Sequence, residues 1–257
     1  ALAERHDAPE ARRAALWGLW LHANMDGDNA LALDLAQRFA ASGDDVPAAA
    51  FAPVAARMLA LSDQLVGRLA QAQRGCEQVL AGIGDNQPVV RTDLQFDPRV
   101  SARSTLARTL WLRGRSDEAR AMAAEAVALA ESIGHDLSLI YALALAAVPV
   151  ALWTGELALA ARHNEALQAR AAARSLRLWE LHGSGYARVL AQRGGLATGT
   201  PLPAGLHRLA GWHLQQMLAT QDAALADAAL LVRLDGEPAH WCTAELLRIR
   251  ALRQQQA

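Results

Sequence analysis

The side chains in this sequence that could do chemistry are eight histidines, two cysteines and several arginines close to aromatic residues. His6, His22, His135, His163, His182, His207, His213 and His240 are scattered, and none belongs to an HExxH pattern. The step from His207 to His213 does not keep to one helical face. This spacing argues for solvated or hydrogen-bonded surface imidazoles and against a metal site. Cys76 and Cys242 are far apart and form neither a CxxC nor a disulfide framework, so both read as buried, reduced thiols. Asp44 and Asp45 follow a helix-ending glycine and make no DDxxD cluster; a solvated turn is expected. GIGDN (82–86) echoes a phosphate loop, but no strand pattern precedes it and no lysine follows. All 25 basic residues are arginine. A Schiff-base lysine and a GxxxxGK[ST] loop are therefore excluded within this chain. No catalytic residue, cofactor or metal is expected.

Arginine beside tryptophan or tyrosine suits a different task, the recognition of a carboxylate or phosphate with stacking. The stretch LWELHGSGYARVL (178–190) is the most polar and aromatic of the helical segments. Its two internal glycines cost roughly 1 kcal/mol each relative to alanine. Close helix packing at Gly183 and Gly185, or room for a ligand, must offset that, and packing is the favoured reading. Glu180, Tyr186 and Arg188 form the candidate pocket on this segment.

The elements that would position these residues are helices. The chain of 257 residues is 53% hydrophobic but only 5% aromatic, and alanine dominates, which favours closely packed helices over a β-sandwich. A net charge of -1 gives no long-range pull toward nucleic acid or acidic membranes. The apolar run Leu139 to Trp153 contains Pro149 and falls short of the roughly 20 residues that span a bilayer, so it reads as a buried helix. No signal peptide is visible. The opening ALAERHDAPEARRAALWGLW begins in mid-helix without an initiator methionine and reads as part of something longer.

An internal repeat organises the helices. In LWLRGRSDEARAMAAEAVALAESIGHD (110–136), Ala119, Met122, Ala123, Ala126, Ala130 and Ile133 form an amphipathic stripe. Ser116 is the expected N-cap and Gly134 the expected left-handed terminator. This unit turns at Gly114, and the same arrangement recurs around Gly27, Gly67 and Gly155, giving glycine spacings of 40, 47 and 41 residues. A weaker unit ends at Gly194. Each strong unit has alanine five residues past its glycine: Ala32, Ala72, Ala119 and Ala160. Glycine permits the tight turn between antiparallel helices, and the alanine lets their backbones approach. One hairpin cannot bury its apolar face alone, so neighbours must stack. Helices are predicted near 8–24, 28–41, 47–66, 69–81, 99–113, 116–133, 136–153, 156–173, 176–193, 203–219, 221–233 and 238–255. A long connection (82–98) and a second break (TGTPLPAG, 198–205) interrupt them, but 1–257 reads as a single repeat domain.

The Gly-x4-Ala turn resembles that of the tetratricopeptide repeat, with Ala60 and Ala107 at the small position seven residues before the turn glycine. The period near 40 exceeds that family's usual 34. The stretches FDPRVSARSTLARTLWLRGRSDEARAMAAEAVALAESIGHDLSLIYALALAA, LWELHGSGYARVLAQRG and DGEPAHWCTAELLRIRALR resemble the C-terminal repeat region of bacterial STAND-type signal-transduction ATPases and transcriptional regulators. The resemblance implies an all-α, right-handed superhelical α-solenoid of stacked hairpins. It also implies a cytoplasmic, non-catalytic sensor arm that binds an inducer, a protein partner or its own nucleotide-binding domain. Nucleic-acid contact belongs to other domains in that group, and no membrane is involved. First helices line the concave groove in such repeats. Projecting that geometry brings Arg57, Gln64, Arg108, Trp111, Ser184, Arg188 and Gln192 toward the groove. Two alternatives belong to other classes: a free-standing adaptor scaffold, and a helical toroid glycosidase with paired carboxylates. The acidic residues cluster at helix starts and turns, which disfavours the second.

Overall fold

A computed structural model describes residues 9–43, 48–84, 96–195 and 201–256. Regular structure among the described residues is entirely helical. The helices are α1 (Pro9–Asp26), α2 (Asn29–Ala40), α3 (Ala48–Leu65), α4 (Leu69–Gly82), α5 (Pro98–Leu112) and α6 (Ser116–Ser132). They continue with α7 (Asp136–Trp153), α8 (Leu157–Ala173), α9 (Arg177–Arg193) and α10 (Leu206–Gln221). The chain ends in the short α11 (Ala228–Val232) and α12 (Thr243–Gln256), with 3-10 turns at Ala223–Leu225 and Arg233–Asp235. Consecutive helices pack against one another along the chain.

The repeat turns form for the reasons their sequence suggests. Gly27, Gly67, Gly114 and Gly155 have φ of 70°, 81°, 78° and 80°, a conformation that L side chains resist. The alanines five residues later, Ala32, Ala72, Ala119 and Ala160, are completely buried where the second helix meets the first. Gly134 takes φ 62° at the end of α6, as expected. Ser116 is the first helical residue and not the cap; Arg115 occupies that position and its guanidinium binds Glu118 instead. The expected helix over 221–233 is broken. Asp222 and Asp227 are extended, and their carboxylates cap the amides of Ala224 and Leu230. Two aspartates that can bond the backbone two or three residues ahead prefer capping to an unbroken helix.

Helix α7 is the core of the stack, with 83% of its length buried, and this accounts for its apolarity. It widens to a π-turn at Leu143–Ala147, where the amide of Val148 bonds the carbonyl of Leu143. The next nitrogen belongs to Pro149, which has no hydrogen to give. The carbonyl of Ala144 is thus left without a helical donor and takes one from outside the helix, the Tyr186 hydroxyl at 2.6 Å.

The C-terminal elements fold back on the first hairpin. Helix α10 is interrupted at Gly211 (φ 78°, ψ 161°), where the backbone passes directly over the end of α1. A Cβ on Gly211 would sit 2.9 Å from the Met25 carbonyl oxygen. Arg233 lies over the Trp212 ring at 4.3 Å and donates to the carbonyls of Asp26 and Gly27. The amide of Trp241 bonds Leu65 at the end of α3. Residues 211–241 therefore cover the C-terminal ends of α1 and α3.

Candidate ligand-binding interior

Helix α10 packs against α1, α7 and α9, and Arg108 of α5 reaches it. From α3, Gln64 donates to the carbonyl of Thr105 on α5 at 3.2 Å. One turn along α5, Arg108 is only 2% exposed, and its Nη1 lies 2.7 Å from Nε2 of His213 on α10. Trp111, a further turn along, stacks on Trp153 of α7 with ring centres 4.3 Å apart. Trp153 donates to Thr220 of α10 at 3.1 Å and meets Trp241 edge-on. Trp241 in turn donates to Gln216 at 3.0 Å. On α9, His182 and Tyr186 face the same interior, and Tyr186 also touches Met217 Sδ.

This interior is cationic. Arg57 lies over Trp20 at 5.6 Å and has no carboxylate partner among the described residues. Arg108 has none either, and its Nε and Nη2 make no hydrogen bond. Burial lowers the pKa of both guanidiniums, and the nearby Tyr141 phenol opposes the shift in each. Gln64 Oε1 and Gln216 Nε2 are likewise buried without partners. Burial lowers the pKa of His182 to about 4, opposed by its bond to the Leu178 carbonyl, and the Arg108 charge lowers it further. His213 is pushed well below its usual value by burial, then by Arg108 and His182. Both imidazoles are neutral at pH 7, so His213 Nε2 can accept from Arg108. Buried charges are ordinarily paired, because desolvating one costs several kcal/mol. Asp97 is the one buried carboxylate among the described residues, and it pairs bidentately with Arg99 at the start of α5.

The candidates from sequence divide into two sets. Arg57, Gln64, Arg108 and Trp111 come together in the interior, and Tyr186 reaches it from α9. Tyr186 is fully buried as the donor to the Ala144 carbonyl, which gives it a structural task. Glu180, Ser184, Arg188 and Gln192 occupy a different stripe of α9 from the buried Trp179, His182, Tyr186 and Val189. Glu180 is held by Arg177, and Ser184 is exposed and bonds back to the Glu180 carbonyl. The proposed pocket of Glu180, Tyr186 and Arg188 is therefore not assembled. Gly183 and Gly185 serve packing: a Cβ there would lie 2.6 Å from Gln168 Cγ and 2.7 Å from Leu218 Cδ1.

Sequence reasoning missed His182, His213, Gln216 and Trp241. It read the histidines as surface groups, whereas His182 and His213 stand in the interior. The only signal for them was their position on apolar helices. Among the described residues no group of three or more His, Cys, Asp or Glu converges in a metal-binding cluster. His6, Asp44, Asp45 and most of the 82–98 connection lie outside the described residues. Burial pushes the Cys76 thiol up to about 12 and raises that of Cys242, so neither is an activated thiolate. His240, 3.7 Å from Cys242, is lowered by its own burial and does not supply an imidazolium partner.

No family model, curated protein or solved structure matches this chain.

Proposed function

We propose that the chain is a non-catalytic regulatory binding module, a right-handed solenoid of tetratricopeptide-like hairpins serving as the sensor arm of a bacterial signalling ATPase or transcriptional regulator. The observation that carries this reading is the convergence of inward side chains from successive repeat units on α10. Arg108, Trp153 and Tyr186 come from three different helices and meet one C-terminal helix, with Trp111 stacked on Trp153 and Gln64 bonded to α5 one turn before Arg108. A groove that can hold a helix of its own chain can report on a ligand or a partner by keeping or releasing it. The resemblance of the repeat stretches to STAND-type regulators supports a cytoplasmic setting and an ATPase core as the partner of this arm. The carboxylates lie mostly in surface ion pairs and do not converge on the interior, which supports the absence of acid–base catalysis within it.

The test is made on the full-length gene product, with ATP hydrolysis measured in the intact protein and after removal of residues 9–256. Loss of the arm is expected to change the basal rate at least several-fold. A gene product that lacks a nucleotide-binding domain would sink the ATPase reading and leave the adaptor scaffold. An unchanged rate would remove the regulatory role.

A further inference from the structure

We propose that the interior between α5 and α10 binds a small organic carboxylate with an aromatic body, held by Arg108. This rests on the sensor reading above and supplies the ligand class for it.

Arg108 is 2% exposed, and only its Nη1 has a partner, the neutral Nε2 of His213. The unused atoms are Nε and Nη2. These form the side edge of the guanidinium, whose two N–H bonds run parallel and match the two oxygens of a carboxylate. His213 fixes the other end and so orients the free edge. Around it stand further unmet groups of both kinds, the Gln216 Nε2 donor and the Gln64 Oε1 acceptor. Gln64 is tied to Thr105, three residues before Arg108, and Gln216 lies three residues after His213. The Tyr141 phenol influences Arg108 and Arg57 alike, which sets both cations near the same ring. Arg57 adds a second cation without a carboxylate. Trp111, Trp153 and Trp241 supply aromatic faces on the side of Arg108 nearest α10. Two cations with no acid paired to them among the described residues, a free bidentate edge and neighbouring rings are complementary to an aromatic monocarboxylate. A solvated surface arginine would show none of this convergence.

The experiment is nuclear magnetic resonance on the full chain labelled with 15N-arginine, following the Arg108 Nε–H signal during titration with benzoate. Acetate, inorganic phosphate and chloride are run at matched ionic strength. Benzoate is expected to move the Arg108 signal downfield in a saturable manner, and acetate to bind at least tenfold more weakly. Arg108→Gln should abolish saturable binding, and Arg57→Gln should weaken it about fivefold. Glu180→Gln, on the other stripe of α9, should leave it unchanged. If Arg108→Gln fails to fold, Gln216→Leu provides the second reading, with an expected loss of at least threefold. No saturable shift with benzoate would overturn the proposal, since water alone would then satisfy the free edge. Equal shifts with chloride, or binding of phosphate alone, would also overturn it. Because binding is read directly, its failure leaves the ATPase test of the regulatory role standing, and the reverse also holds.

Discussion

Replacing Tyr186 by phenylalanine takes one hydroxyl from a fully packed site and leaves the ring in place. That hydroxyl donates to the Ala144 carbonyl at 2.6 Å and lies 2.7 Å from Met217 Sδ. The carbonyl has no donor within its own helix, because the Val148 amide is committed to Leu143 and Pro149 has no N–H. A buried carbonyl left unpaired costs about 1–3 kcal/mol. At about 2–4 °C per kcal/mol for a chain of this size, Tm should fall by roughly 2–12 °C. Urea unfolding of the wild type, Tyr186→Phe, Pro149→Ala and the double variant isolates the cause. Pro149→Ala returns an N–H to α7, so the cost of Tyr186→Phe should shrink by about 1 kcal/mol in that background. A Tyr186→Phe loss below about 0.5 kcal/mol, or the same loss in both backgrounds, would refute the account of the π-turn.

Three further outcomes are expected. Gly211→Ala forces a side chain into φ 78° and ψ 161° and onto the Met25 carbonyl, so urea unfolding should show a loss of about 1–3 kcal/mol or more. Ser175, the one non-glycine residue at positive φ among the described residues (φ 54°), should gain about 0.5–1 kcal/mol on change to glycine, read from the same curves. The third is acid sensitivity. His182 and His213 have lowered folded-state pKa values, so below the ordinary value near 6.5 the unfolded chain takes up protons that the folded chain refuses. Stability should be constant above that pH and fall as pH drops toward about 4, the His182 value. The slope should reach about 1.4 kcal/mol per pH unit for each imidazole. In urea midpoints taken from pH 7.5 to 4.5, His213→Gln should flatten that slope.

The scaffold was legible where its causes are local. A turn glycine with alanine five residues on acts through its own backbone, so Gly27, Gly67, Gly114 and Gly155 could be located before any fold was known. The apolarity of α7 likewise announced a core helix. Features set by distant partners were not legible. Gly211 sits in LHRLAGWHLQQM like any tolerated helical glycine, and only the approach of Met25 reveals why the helix breaks there. His213 looks like a surface residue until Arg108, 105 positions earlier, is placed against it. On α9 the composition of the helix drew attention to Glu180, Ser184, Arg188 and Gln192. The buried stripe of Trp179, His182, Tyr186 and Val189 is a different one, and composition alone does not set that rotation. The helix expected over 221–233 took no account of Asp222 and Asp227, whose carboxylates cap the amides of Ala224 and Leu230 and break it.

Helix α10 packs against α1, α7 and α9 and meets Arg108 of α5, so any ligand or partner entering there must reckon with it. Hydrogen–deuterium exchange of the full chain measures this directly. The amides of 212–221 should be protected as strongly as those of α5 and α7, because Gln216, Met217, Thr220 and Gln221 are held by Trp241, Tyr186, Trp153 and Arg193. Exchange of 212–221 within seconds, with α5 and α7 still protected, would contradict it and mean that the groove stands open.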